Sequence, residues 1–146
     1  MKIFKAELIQ LIVSNGTGQL RFYFPDNSVL RNTPTQVVKT KGIEFYPSEA
    51  VPTAPDGNTV MSSADLREGF LVLYISEGEY LKVPISKFVS LHNNSVSTDT
   101  NYPYVTNLAE LADLMVNYPK SYVMFPAAIT TDRTILCNVY YDFFIK

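Results

Sequence analysis

The sequence predicts a mainly β protein, an all-β or nearly all-β single sandwich over residues 1–146 with one short helix near 108–117. Three observations predict it. Short runs rich in Val, Ile, Tyr and Phe recur between Asn, Gly, Pro and Ser turns, only one segment combines a helical stripe with a cap, and no stretch approaches eighteen apolar residues. A chain of 146 residues suits one domain and can bury roughly 70% of the surface it exposes when unfolded, so its core needs no staples. Hydrophobic residues at 47% against 18% charged lie on the globular side of the composition boundary.

Residues 3–13 open the chain. Phe4, Leu8, Leu11 and Ile12 fit a helical stripe, while Ile3, Lys5, Glu7, Ile9, Leu11 and Val13 fit one side of a strand. The strand is preferred because Asn15-Gly16-Thr17-Gly18 is strong turn chemistry and a second β-type run, 19–24, follows at once; the two are expected to form a hairpin. Pro25-Asp26-Asn27-Ser28 reads as the next tight turn, with 29–32 returning from it. The run 36–46 continues the pattern, and Gly42 inside it signals a bulge or bend.

Pro47, Pro52, Pro55 and Gly57 exclude regular structure over 46–58, which makes this the first long loop where function can reside. A short helical turn over 62–68 precedes the clearest strand, 70–75, whose nearly unbroken apolar run suits a central position. The turn at 76–79 joins it to 80–85, and Pro84 places that second arm at an edge or ends its ladder. Residues 86–91 suit one helical turn, and 92–104, rich in Asn, Ser and Thr, form the second long loop. Asn107 can cap the helix whose stripe is Leu108, Leu111, Ala112 and Met115, with Glu110 three residues after the cap and Tyr118-Pro119 as its stop. Residues 122–125 and 134–145 read as closing strands, and the last is too apolar to lie outside the fold.

Twelve basic against fourteen acidic residues give a net charge of -2 with no long run of either sign, so no phosphate-tracking surface and no specific nucleic-acid binding are expected. The first residues lack an apolar signal core and a cleavage site, so neither an export signal nor a membrane span is expected. His92 is the single histidine and Cys137 the single cysteine, too few ligands for a zinc site and far apart for nucleophilic catalysis. Cys137 reads as a small buried residue. No calcium-loop spacing occurs, and Gly16-Thr17-Gly18 lacks the further glycines and Lys-Ser/Thr of a phosphate loop. The carboxylates, Glu44, Glu49 and Asp56 among them, stand in or beside turns where solvation is expected, and nothing singles out an acid–base pair. No enzyme, cofactor or metal is expected.

Alternation along the strands forces some aromatic rings outward from the sets Phe22, Tyr23, Phe24, Phe45, Tyr46 and Tyr140, Tyr141, Phe143, Phe144. Outward rings either stack sugars or bases or are buried against a neighbouring subunit, and subunit contact is preferred where no basic patch accompanies them. The candidate contact residues are Tyr46, Tyr102, Tyr104, Tyr140 and Tyr141.

The short-strand texture, the segment Arg21-Phe22-Tyr23-Phe24-Pro25-Asp26 and the ending Asn138-Val139-Tyr140-Tyr141-Asp142-Phe143-Phe144 give the chain an overall style that resembles small β-sandwich structural proteins of bacteriophage virions, such as pentons and minor capsid or decoration proteins. That resemblance implies a jelly-roll-like sandwich and a non-enzymatic virion subunit, made in the host cytoplasm and partnered by copies of itself and by other virion structural proteins. It carries over no functional residue. The alternative from a different class is a carbohydrate- or peptide-binding β-module using loops 46–58 and 92–104.

Overall fold

Strand β8, Arg133–Ile145, carries the fold: Ile135, Cys137, Val139 and Tyr141 point to one side at the two-residue period of a strand and are buried in the core. It lies between β1, Lys2–Val13, and β3, Gln36–Tyr46, antiparallel to both, with Leu8 opposite Asn138 and Glu44 opposite the same residue from the other side. The computed structural model describes residues 2–13, 20–76, 79–89, 106–107, 114–127 and 132–145.

Beyond β3 the sheet is completed by β6, Thr106–Asn107, giving the order β1-β8-β3-β6. The second antiparallel sheet has the order β2-β7-β4-β5, from β2 (Arg21–Tyr23), β7 (Tyr122–Met124), β4 (Phe70–Ser76) and β5 (Glu79–Pro84). Apart from the β4–β5 hairpin, each successive strand crosses to the other sheet. Phe22, Leu71, Leu73 and Val123 of the second sheet meet Ile9, Leu11, Val38, Ile43, Phe45 and the inward side of β8, so two antiparallel sheets enclose one core, as in a β-sandwich.

The bulge anticipated at Gly42 is present, as a register shift between Thr40 and Gly42. Its extra residue changes which parity faces inward: Val38 and Thr40 before it and Ile43 and Phe45 after it are all buried. The 3-10 turns Ser28–Leu30, Ile85–Lys87 and Tyr118–Lys120 fill corners, and α1, Ser63–Leu66, is a single turn whose first amides are held by Ser62 and Glu49.

Two expectations are corrected. Residues 3–13 and 19–24 do not form a hairpin, because β1 pairs with β8 and β2 pairs with β7 in the opposite sheet. A turn signal does not choose the partners of its arms, and the burial of Phe22 together with Ile9 and Leu11 in one core is met by strands in different sheets. Of the helix expected near 108–117, residues 108–113 lie outside the described residues, while 114–117 are not helical: Leu114 forms an isolated antiparallel bridge with Thr40, whose amide donates to the Leu114 carbonyl at 2.8 Å. The backbone edge of β3 takes up Leu114, which ends any helix before that residue.

Candidate functional site: the outer faces of the two sheets

Pairing register decides which outward side chains meet. On the β1-β8-β3-β6 sheet it brings Glu44, Tyr46, Asn138 and Tyr140 together. The Asn138 amide donates to the Tyr46 hydroxyl at 2.7 Å, and the Tyr140 hydroxyl donates to Glu44 Oε1 at 3.3 Å. Glu44 Oε2 has no hydrogen-bond partner, although the residue is 0% exposed. Burial pushes the Glu44 carboxyl above its ordinary range, an effect that the Tyr46 and Tyr140 hydroxyls offset in part, and burial together with the adjacent carboxylate pushes the Tyr46 phenol up. Further along, Lys41 Nζ lies 3.3 Å from the buried Asp142 carboxylate. Glu44 thus departs from the expectation of a solvated carboxylate: it belongs to the interior of a strand, not to a turn.

The loop after β3 folds over one end of this face. Ala54, Val60 and Leu136 form a small apolar cluster with Tyr46 and Val51. Asp56 Oδ2 accepts from the Thr134 hydroxyl at 2.8 Å, the Asp56 amide donates to Gln10 at 3.0 Å, and Gly57 supplies the positive φ, 90°, that its tight turn requires. Ala54 and Val60 of this loop pack against the sheet, while Thr53, Pro55 and Asp56 remain exposed.

The outer face of the β2-β7-β4-β5 sheet is different. Four tyrosines, one from each strand, form a row across it: Tyr23 and Tyr122 have ring centroids 5.1 Å apart, Tyr122 and Tyr74 6.4 Å, and Tyr74 and Tyr80 5.4 Å. Tyr122 is nearly buried within the row, whereas Tyr23 is 52% and Tyr80 57% exposed. The Arg21 guanidinium carbon lies 4.9 Å from the Tyr122 ring centre, and Lys82 Nζ lies 4.8 Å from that of Phe70. Desolvation raises the Tyr122 phenol above its ordinary value, and Arg21 acts in the opposite sense. Among the described residues that share the parity of the row, Arg21, Phe70, Val72, Lys82 and Met124 included, none is acidic, and the exposed Glu79 stands at the start of β5, opposite Ser76 past a register shift. The result is an aromatic surface of tilted rings edged by two cations, of the composition that suits a contact face.

Of the anticipated contact residues, Tyr46 and Tyr140 are half-buried on the first sheet, where Tyr140 stacks on the exposed Phe4 at 6.3 Å. Tyr141 is a correction: it points into the core at 1% exposure, because its parity on β8 matches Ile135 and Val139. Tyr102, Tyr104 and His92 lie outside the described residues. Cys137 is fully buried, with its thiol pushed up by burial, in keeping with a packing residue. Among the described residues no group of three His, Cys, Asp or Glu side chains can hold a metal ion, and no helix is long and apolar enough to cross a membrane. A groove of about 400 Å3 at one end of the sandwich is lined by Leu30, Ile75, Met115 and Tyr118. Its one guanidinium, Arg31, is held on both oxygens of Asp26 at 2.7 Å.

The tyrosine row was not legible as a unit, since its members are separated by up to a hundred residues of chain and only Tyr23 stood in a recognised aromatic set. No family model, curated protein or solved structure matches the chain.

Proposed function

We propose that the chain is a non-enzymatic structural subunit of a virion, of the penton, minor capsid or decoration kind, which works through contacts with copies of itself and with other virion proteins. The observation that carries this reading is the tyrosine row on the second sheet, an exposed aromatic face with Arg21 and Lys82 beside its rings, on a sandwich whose strand order fits two interleaved Greek keys of jelly-roll type. Interfaces enrich Tyr and Arg at their centres and deplete carboxylates, and this face has that composition. Since a fold of this class hosts many functions, the face and not the fold carries the weight.

A second reading is favoured by the same rings: a row of tilted tyrosines with Tyr23 and Tyr80 exposed can offer ring surface to the apolar faces of a sugar chain, which makes the chain a carbohydrate-binding module. Light scattering over a concentration series separates the two. The structural reading expects oligomers larger than a dimer that are lost in the Tyr23→Ser/Tyr80→Ser variant. Absence of such oligomers at every concentration, together with glycan binding lost in the same variant, would establish the module instead.

A further inference from the structure

Most sheet edges in this molecule are short or covered. The free side of β3 is occupied by three pieces in turn, Val89 beside Phe45, β6 beside Gly42 and Ile43, and Leu114 beside Thr40. Strand β2 has three residues, and β5 carries Lys82 and ends on Pro84. Strand β1 is the exception. It is twelve residues long, among the described residues it pairs on one side only, with β8, and it contains no proline. Ile3, Phe4, Lys5, Ala6 and Leu8 on it are exposed, with Phe4 at 62%. Its outward row of amides and carbonyls is a template for another strand.

The residues of β1 indicate which strand. Two copies of one sheet edge joined by a two-fold axis perpendicular to the sheet keep their inner faces on the same side, so the paired positions share parity. With the axis at Lys5 or at Glu7, two like charges stand directly opposite each other. With the axis at Ala6, Lys5 faces the partner's Glu7 and Glu7 faces the partner's Lys5, while Phe4 and Leu8 face the partner's Leu8 and Phe4 on the other side of the sheet. The small alanine sits on the axis, within the exposed stretch 3–8, of which only Glu7 is half-buried. Lys5 rests over the Phe143 ring at 5.4 Å and Glu7 accepts from Asn27 at 3.5 Å, both long contacts that leave the charges able to meet a partner.

We propose that two copies of this chain associate through antiparallel pairing of their β1 strands about a two-fold axis at Ala6, joining two four-stranded sheets into one of eight strands. The inference stands on the β1 edge and does not depend on the tyrosine row. Charge-reversal variants test the register. Sedimentation equilibrium in the Tyr23→Ser/Tyr80→Ser background, where larger oligomers are removed, should show a dimer, association weakened by about tenfold or more on adding Lys5→Glu or Glu7→Lys, and recovery when both are added, where the opposite charges meet again. Ala6→Cys should oxidise to a covalent dimer while Leu8→Cys, far from its own copy in this register, should not. That pair remains informative even where a charge variant fails to fold. A background that is monomeric throughout, single charge reversals that associate as the background does, a double reversal that does not recover, or equal cross-linking at positions 6 and 8 would each overturn the proposal. Tyr23→Ser/Tyr80→Ser should leave the dimer intact, which keeps this result separate from the assembly reading above.

Discussion

The two outer faces of the sandwich are built from the same strand periodicity and end up with opposite characters. On the first sheet, the outward side chains of β3 and β8 become a sealed polar layer, with Phe4 and Leu8 exposed only at its β1 edge: Glu44 and Asp142 are buried, Tyr46 and Tyr140 turn their hydroxyls toward Asn138 and Glu44, and residues 51–60 close over one end. On the second sheet, outward rings stay in an open row, with Tyr23 and Tyr80 more than half exposed and cations beside Tyr122 and Phe70. Hydroxyls in the sealed layer are committed to internal partners, whereas the rings of Tyr23 and Tyr80 keep more than half of their surface exposed. Exposure of aromatic surface, and not the number of tyrosines, distinguishes a contact face from a structural one.

That contrast can be broken or sharpened by substitution. Tyr141→Ala removes a fully buried ring between the sheets and should cost about 3–5 kcal/mol in urea unfolding. A cost near zero would mean that Tyr141 is free for surface contact after all. Gly69→Ala places a methyl group 2.8 Å from Phe125 and 3.0 Å from Ile85, so it should cost about 1–3 kcal/mol, read as a lower midpoint with unchanged slope.

Glu44→Gln examines the sealed layer through pH. The carboxyl is raised above its ordinary 4.5 by burial, so the folded chain keeps a proton that the unfolded chain releases. Its contribution to stability is therefore full below 4.5 and is lost as the pH rises through the raised value. Stability of the wild type and Glu44→Gln should agree at about pH 4, and the variant should be more stable by about 1 kcal/mol at about pH 8. A constant difference across that range would show that Glu44 is not sealed. The smallest effect on stability is expected on the open face: Tyr80→Ser should change unfolding by less than about 0.5 kcal/mol while weakening assembly.

Much of the architecture was legible from residues alone. The apolar run of β4, the Gly-bearing turn to β5, Pro84 at that strand's end, the bulge at Gly42 and the interior position of β8 all follow from local chemistry. Partner choice was not legible. Asn15-Gly16 marks a reversal, but whether its arms join each other or opposite sheets depends on β8 and β7, more than a hundred residues away. The same holds for the sites. Tyr140 was picked out by its place in the aromatic ending, whereas the Tyr23, Tyr74, Tyr80 and Tyr122 row exists only through the registers of three strand pairs, and Glu44 is buried only because its strand is central.

Tyrosine nitration followed by mass spectrometry, compared between dilute and assembled chain, tests most directly whether the second sheet is the contact face. Tyr23 and Tyr80 should react in the dilute chain and be protected on assembly, while Tyr118 and Tyr141, buried in the core, should remain unreactive in both. Equal reactivity of Tyr23 and Tyr80 in the two states would contradict the assignment of that face to assembly.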